Sequence, residues 1–543
     1  MRTSPAPFRR SHSRPLADVA LAGAAWLVFV LSCAQLALCE YGRDQGIYAA
    51  VADTLLRGGM PYRDAWDFKP PAIFVLFGLA QAWFGKSMIA IRVLEVAGLF
   101  GVLVALRRIS RSMFGSPLPG LLGAALAAWL HVQLGFWHTA QPEAFGGMLT
   151  VYALAWLLTT DTITDLSPSE RAWSFATFAG AGVLFGVAFL FKPPLGGAAL
   201  PCALFFGMQR WHRQHRIVSA IEPALALGIG AALPIGLCVW WFVARQAWPA
   251  LSWTLFEFTP GYTRLGWSHT ASELAVQTIS HLLAAGSLLL PVGLLLWLAL
   301  PPMHARERQT CTLVLGVAAV QLVGVAMQAK FFPYHYSATL PLLAFVVGVG
   351  LYKAWRVVLA AERVWSLGIF AYGFALITLM ASGSATATFP DLRRAFATAD
   401  EANAASPEEL ALAREAAYSL AADREAAQRA QQLTRSDESI YVWGFEPAIY
   451  WLAERRAASR YIYNVPQRST WERKRARDEL LTDLHNDPPK LVFVQRGDTF
   501  PWVTGNALDS AGSVAGFPEL AHMLASDYRA HEVLPTFEVY IRR

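Results

Sequence analysis

The feature that most constrains this chain is a succession of apolar segments almost free of charge. Val19–Leu38, Leu118–Trp137, Ala144–Thr159, Phe175–Phe191, Pro223–Phe242, Leu282–Leu300, Thr312–Met327, Ser337–Leu351 and Leu367–Ala381 all have this character. A helix needs roughly 20 such residues to cross the hydrocarbon core, and the shorter runs extend into their flanks. Composition agrees: 55% of the 543 residues are hydrophobic and 15% charged, against about a quarter charged in a soluble domain. The fold class expected is a multi-pass α-helical membrane protein.

Loop charge sets the expected topology. Arg2, Arg9, Arg10 and Arg14 precede the first run, which places the N-terminus in the cytoplasm. That run is long and has no clear small-residue cleavage site, so a retained signal anchor is expected. Pro70–Gly85 falls short of a full span. Read as non-spanning, with Ile89–Leu106 returning the chain inside, it puts Arg107, Arg108, Arg111, Arg171, Arg210, Arg213, Arg216, Arg306, Arg308, Lys353, Arg356 and Arg363 on the cytoplasmic side. Read as spanning, it would expel all of them. The positive-inside rule selects the first reading, with Pro70–Gly85 an interfacial or re-entrant helix on the outer face. The expected count is about eleven spans, Gly196–Gly207 being the shortest of them.

Residues 1–384 then form a polytopic membrane domain whose first external loop is 40–86, and residues 385–543 an external domain. The tail reads as α/β. Phe389–Thr434, Pro447–Glu454 and Trp471–His485 have helical character, while Ser439–Gly444, Leu491–Gln495 and Phe537–Ile541 read as strands. The five cysteines all lie in or beside apolar runs, so the tail has no disulfide of its own. The net charge of +6 comes from short interspan clusters and gives no reason to expect nucleic acid. No P-loop, dinucleotide fingerprint, His-Glu-x-x-His or paired-cysteine motif is present, so nucleotide-sugar and ATP-driven chemistry have no support.

Ionisable residues at membrane depth are functional candidates, and here they gather at outer span ends. The first loop carries Arg43 and Asp44, then Tyr62, Asp67 and Lys69-Pro70-Pro71. Proline opens a helix well, and a helix start presents free N–H groups, so Lys69 makes a phosphate site. The second loop carries His138 and Glu143 either side of Pro142. Lys192-Pro193-Pro194 repeats the first motif, and Lys330 precedes His335 and Tyr336. Together the lysines form a basic cluster against an apolar wall, suited to an anionic lipid head group. Trp248, Trp253, Tyr262 and Trp267 add rings that serve sugar stacking or an interfacial belt.

An Asp after the first span, Gly58-x-x-Pro61-Tyr62-x-Asp64 and Lys69-Pro70-Pro71 together resemble the GT-C superfamily of integral-membrane glycosyltransferases, in the branch of protein O-mannosyltransferases and the lipid A aminoarabinose transferase. Glu143, His335-Tyr336 with Leu340-Pro341, and Tyr441-Val-Trp-Gly444 extend the resemblance over the membrane part and into the tail. Where that branch has an Asp-Glu pair, this chain has Asp44-Gln45, which weakens a metal-binding or second-carboxylate role at position 45. The resemblance implies a polyprenyl-phosphate sugar donor, an envelope acceptor (lipid, polysaccharide or protein), inversion at the anomeric carbon and a site at the outer face of the plasma membrane. It implies Asp44 as catalytic base and Lys69, Lys192, Lys330 and Arg43 as donor-phosphate ligands. Glu143, His138, His335, Tyr336, Tyr62 and Asp67 would support substrate. The resemblance makes no cofactor certain, and a divalent metal is left open. A transporter of a lipid-linked sugar ranks below, because charges cluster at one face and no repeated halves are visible. A non-catalytic carrier-lipid-binding partner stays open on account of Gln45.

Overall fold

The computed structural model describes residues 14–160, 168–267, 269–286, 288–361 and 418–543. The chain begins with α1 (Arg14–Leu38), α2 (Arg43–Leu56), α3 (Ala72–Phe84), α4 (Met88–Phe114), α5 (Leu118–Val132), α6 (Pro142–Thr159) and α7 (Pro168–Phe191). A single turn, α8 (Pro193–Gly196), leads to α9 (Ala199–Gln214) and α10 (Ile217–Ala244). Then come α11 (Trp248–Ser252), α12 (Thr259–Arg264), α13 (Ala271–Gly286), α14 (Leu289–Ala299), α15 (Glu307–Gln328) and α16 (Leu340–Ala360).

Among the described residues, six helices are long and apolar enough to cross a membrane: α1, α4, α7, α10, α15 and α16. The protein is a multi-pass helical membrane protein. The expected single span Leu282–Leu300 is instead broken into α13 and α14, which meet at a 97° bend. Gly286 ends one helix and Pro291 stands in the first turn of the next, where its missing N–H and ring are tolerated. The expected span Leu367–Ala381 lies outside the described residues. Helix α3 has 13 residues, reaching about 20 Å against a core of about 30 Å.

The C-terminal unit is a five-stranded mixed sheet of order β2-β1-β3-β5-β4. Its strands are β1 (Ser439–Trp443), β2 (Arg456–Ala457), β3 (Leu491–Gln495), β4 (Tyr528–Val533) and β5 (Phe537–Arg542). β1 pairs in parallel with β2 and β3, while β5 pairs antiparallel with β3 and β4. Every residue of β1 and β3 is buried, which is why both read as unbroken apolar runs. Helices α17 (Leu420–Leu433), α18 (Ala448–Ala453), α19 (Val465–Arg468) and α20 (Arg473–Asn486) flank the sheet.

This unit is seated on the loop between α1 and α4. Tyr418 donates to the Tyr41 carbonyl at 2.5 Å, the Trp66 N–H donates to the Arg460 carbonyl at 2.7 Å, and the Trp451 indole donates to Gln81 at 3.2 Å. A Cβ built on Gly46 would lie 2.8 Å from that of Ala448. The first turn of α2 therefore abuts the C-terminal unit with no room for a side chain at position 46.

Candidate active site

Helix α2 places Asp44 in its first turn, where the free N–H groups favour a carboxylate. Asp44 is half-buried and accepts a 3.2 Å bond from the Gln141 amide. Gln141 is held in turn by the Tyr48 hydroxyl, which donates to its carbonyl oxygen at 2.8 Å. Next to it, Gln45 closes the helix start: its Oε1 accepts from the Gly42 N–H at 2.9 Å. Its Nε2 reaches the second loop, donating to the carbonyls of Trp137 at 2.9 Å and Thr139 at 2.5 Å.

The second loop is pinned from beneath. Arg92 is fully buried in α4 and donates to the Cys39 carbonyl at 3.1 Å, the Glu40 carbonyl at 2.8 Å and Thr139 Oγ1 at 2.9 Å. Glu95, also buried, pairs with Arg92 at 2.8 Å and meets His131 Nε2 at 2.8 Å. The pair fixes the ends of both loops from within the bundle. In the sequence Arg92 and Glu95 stand out only as charges in a span; their i,i+3 spacing is the signal that could have paired them.

The basic residues gather near His335, on which Lys192, Lys69 and Lys330 all act. Lys69 lies 4.7 Å from the Phe68 ring centre and 5.9 Å from that of Tyr334. The Tyr62 hydroxyl donates to the Lys69 carbonyl at 2.7 Å, and Tyr62 itself turns the chain at φ 68°. Asp67 is buried and accepts from the Tyr463 hydroxyl at 2.6 Å. Burial pushes the Asp67 carboxyl up, and Lys69 and Tyr463 oppose this. Lys192, just past α7, forms an ion pair with Glu143 at the start of α6. Burial pushes its ammonium down, and Glu143 partly restores it. His335 Nε2 lies 3.8 Å from Glu143, and burial, then Lys192 and Lys69, hold this imidazole well below its ordinary value. Burial takes His138 down to about 4, with Asp44 opposing. Both imidazoles are neutral at pH 7. Lys330 donates to the Trp502 carbonyl at 2.9 Å, and burial pushes it down to about 8.

Two expected site residues are placed elsewhere. The Arg43 guanidinium turns to the C-terminal unit, bonding Glu446 at 2.5 and 3.0 Å inside a cage of Trp137, Tyr418, Phe445 and Phe500. The Tyr336 hydroxyl donates to the Thr278 carbonyl at 3.1 Å and lines a separate cavity of about 290 Å³ with Trp129 and His281.

Three buried polar atoms in the cluster have no hydrogen-bond partner among the described residues: Glu143 Oε2, His138 Nδ1 and His335 Nδ1. Such atoms are rare in a finished core and point to a ligand or water that completes them. A divalent cation is a poor fit. Among the described residues no three of His, Cys, Asp and Glu converge, Glu143 already answers Lys192, and Gln45 has no carboxylate to offer.

An apolar cleft of about 520 Å³ opens beside the cluster, between α3, α4, α6, α7 and α10. Its lining includes Pro71, Leu76, Met148, Phe191 and Trp241. Pro71 stands two residues after Lys69 and Phe191 immediately before Lys192, so the lining of the cleft reaches the chain beside both lysines.

Helical bundle and C-terminal mixed sheet together have the fold of solved integral-membrane proteins. Three solved structures, of two proteins, carry that likeness over almost the whole chain. ArnT from Cupriavidus metallidurans in the apo state aligns with TM-score 0.56 at 14% identity, covering 97% of this chain and 98% of that one. The same protein bound to undecaprenyl phosphate aligns with TM-score 0.51 at 13% identity, covering 98% of each. The Archaeoglobus fulgidus oligosaccharyltransferase tethered to an acceptor peptide aligns with TM-score 0.52 at 12% identity, covering 98% of this chain and 75% of that one. No family model and no curated protein matches the sequence.

Proposed function

We propose that the protein is a glycosyltransferase that moves a sugar from a polyprenyl-phosphate donor to an envelope acceptor at the outer face of the plasma membrane, with inversion. In this reading residues 1–384 are the polytopic domain and 385–543 the external one, with the N-terminus cytoplasmic. The observation that carries it is the apolar cleft whose lining reaches Pro71 and Phe191, beside Lys69 and Lys192 in the chain. A prenyl chain in the cleft delivers its phosphate to the two ammonium groups, with Lys330 beside them. Undecaprenyl phosphate is the ligand of the ArnT structure of the same fold.

The chemistry needs little else. The acceptor hydroxyl gives its proton to Asp44 as its oxygen attacks the anomeric carbon. The carbon–oxygen bond to phosphate breaks, and the polyprenyl phosphate leaves with the bonding pair. Phosphate is already a good leaving group, so no general acid is required. Ammonium groups placed where its charge develops lower the barrier. Glu143, His138 and His335 supply the unpartnered donors and acceptors that sugar hydroxyls would satisfy.

Purified protein in liposomes with a labelled polyprenyl-phosphate sugar tests the reading. Release of free polyprenyl phosphate with label on an envelope acceptor supports it. Label crossing the bilayer still attached to its carrier identifies a transporter, and retention without turnover identifies a binding partner.

A further inference from the structure

The far end of the bundle holds a second built cavity. Arg171 and Lys192 lie near opposite ends of α7, roughly 30 Å apart at about 1.5 Å per residue. At the Arg171 end a cavity of about 520 Å³ opens between the start of α7 and the turn joining α9 to α10. Arg210 is buried at its floor, held by Glu222 at 3.1 Å and by Ser174 at 2.5 Å. Among the described residues Glu222 is the one carboxylate in the lining, and Arg210 already holds it. The side chains of Arg171 and Arg216 also line the cavity, and among the described residues neither has an ion-pair partner. Ile217, Val218 and Ser219 complete the wall as the first turn of α10, which has no side-chain cap. Their N–H groups have no partner within the helix and favour an anion.

The outer face of α10 beyond the cavity identifies the kind of anion. Ile217, Ile221, Leu225, Ile229, Leu233 and Leu237 recur every four residues, and each is at least 47% exposed. Each is a neighbour of the next on the helix surface, and a step of four residues advances about 40° beyond a full turn, so they form an apolar track that leaves the basic cavity and winds around α10 toward the middle of the bundle. A soluble phosphate would use the arginines and ignore the track. A diacyl lipid would use both.

We propose that this cavity is a head-group site for an anionic phospholipid. The phosphate lies between Arg171, Arg216 and the first N–H groups of α10, and an acyl chain runs along the exposed α10 face. In the orientation proposed above this is the cytoplasmic leaflet, where anionic lipids meet basic pockets between helices. The site is remote from Asp44 and does not depend on the transfer reading.

The test reads binding without turnover. The full-length protein, purified in neutral detergent, is offered phosphatidylglycerol or phosphatidylcholine, and retained lipid is counted by native mass spectrometry. The wild type retains phosphatidylglycerol preferentially. Arg171→Gln/Arg216→Gln lowers that affinity on the order of thirtyfold, two surface charges' worth. Its thermal midpoint in phosphatidylcholine stays that of the wild type, because neither side chain has an ion-pair partner among the described residues. Equal retention by the variant overturns the proposal, as does equal retention of the two lipids by the wild type. Displacement of the lipid by free glycerol phosphate at comparable concentration also overturns it and assigns a soluble ligand.

Discussion

The Gln45 side-chain amide donates to the Trp137 carbonyl at 2.9 Å, tying the helix that carries Asp44 to the next loop. The same amide accepts from the Gly42 N–H and donates to Thr139. Only an amide meets both demands, since a carboxylate has no protons for the two carbonyls. The departure from an Asp-Glu pair is thus a substitution of a strut for a charge. Gln45→Glu sets a buried carboxylate against those carbonyls. It is expected to destabilise the protein by about 1–3 kcal/mol and to lower transfer as well, read by thermal unfolding and turnover on the same preparation.

Gly46 carries a second prediction. With the Ala448 Cβ 2.8 Å from where its own would be, Gly46→Ala must push α2 away from the C-terminal unit. Overpacking of this kind costs about 1–3 kcal/mol. Gly46→Ala/Ala448→Gly restores the space, and recovery in the double variant is the measurement that checks the contact.

Three buried carboxyls act on Arg43: Glu446, Asp498 and Asp423. Burial, then the Glu446 charge, holds Asp423 well above its ordinary value. Glu446→Gln leaves Asp498 and Asp423 acting on the guanidinium and is expected to be mild. Glu446→Gln/Asp423→Asn removes two of the three carboxyls from the buried guanidinium and is expected to cost about 3–5 kcal/mol. Unfolding of the two single variants and the double one checks the non-additivity.

Lys330 gives the expected pH dependence. Its ammonium sits at about 8, so it is charged below that pH and loses its proton above it. Donor kcat/KM should hold below pH 8 and fall above it, since this profile reports groups of the free enzyme. In Lys330→Arg the charge persists, and the fall should disappear from that range.

Much of the scaffold was legible in the sequence. The apolar runs mark the long helices, and Leu491–Gln495 appears as β3 with the boundaries read from its composition. Phe537–Ile541 is one residue short of β5, and Trp471–His485 overlaps α20. The break between α13 and α14 was missed because Leu282–Leu300 is apolar throughout, and hydropathy does not see a bend at Gly286. Strand β4 was missed because Tyr528–Val533 is largely exposed and polar, without an apolar face. In the candidate site the Lys-Pro-Pro motifs announced Lys69 and Lys192. The partners of Arg43 and Asp67 did not announce themselves: Glu446 and Tyr463 lie 403 and 396 residues away. Such pairings are made by the docking of the C-terminal unit, which leaves no local pattern.

The most direct measurement is turnover by Asp44→Asn in liposomes with a labelled polyprenyl-phosphate sugar, beside binding of the same donor. Asparagine keeps the size of the side chain and can still meet Gln141, but it cannot take a proton from the acceptor. The account predicts an inserted protein with the wild-type thermal midpoint, donor bound as before, and turnover reduced by at least about 10²–10⁴-fold, the contribution of a general base. Wild-type turnover by this variant would contradict it.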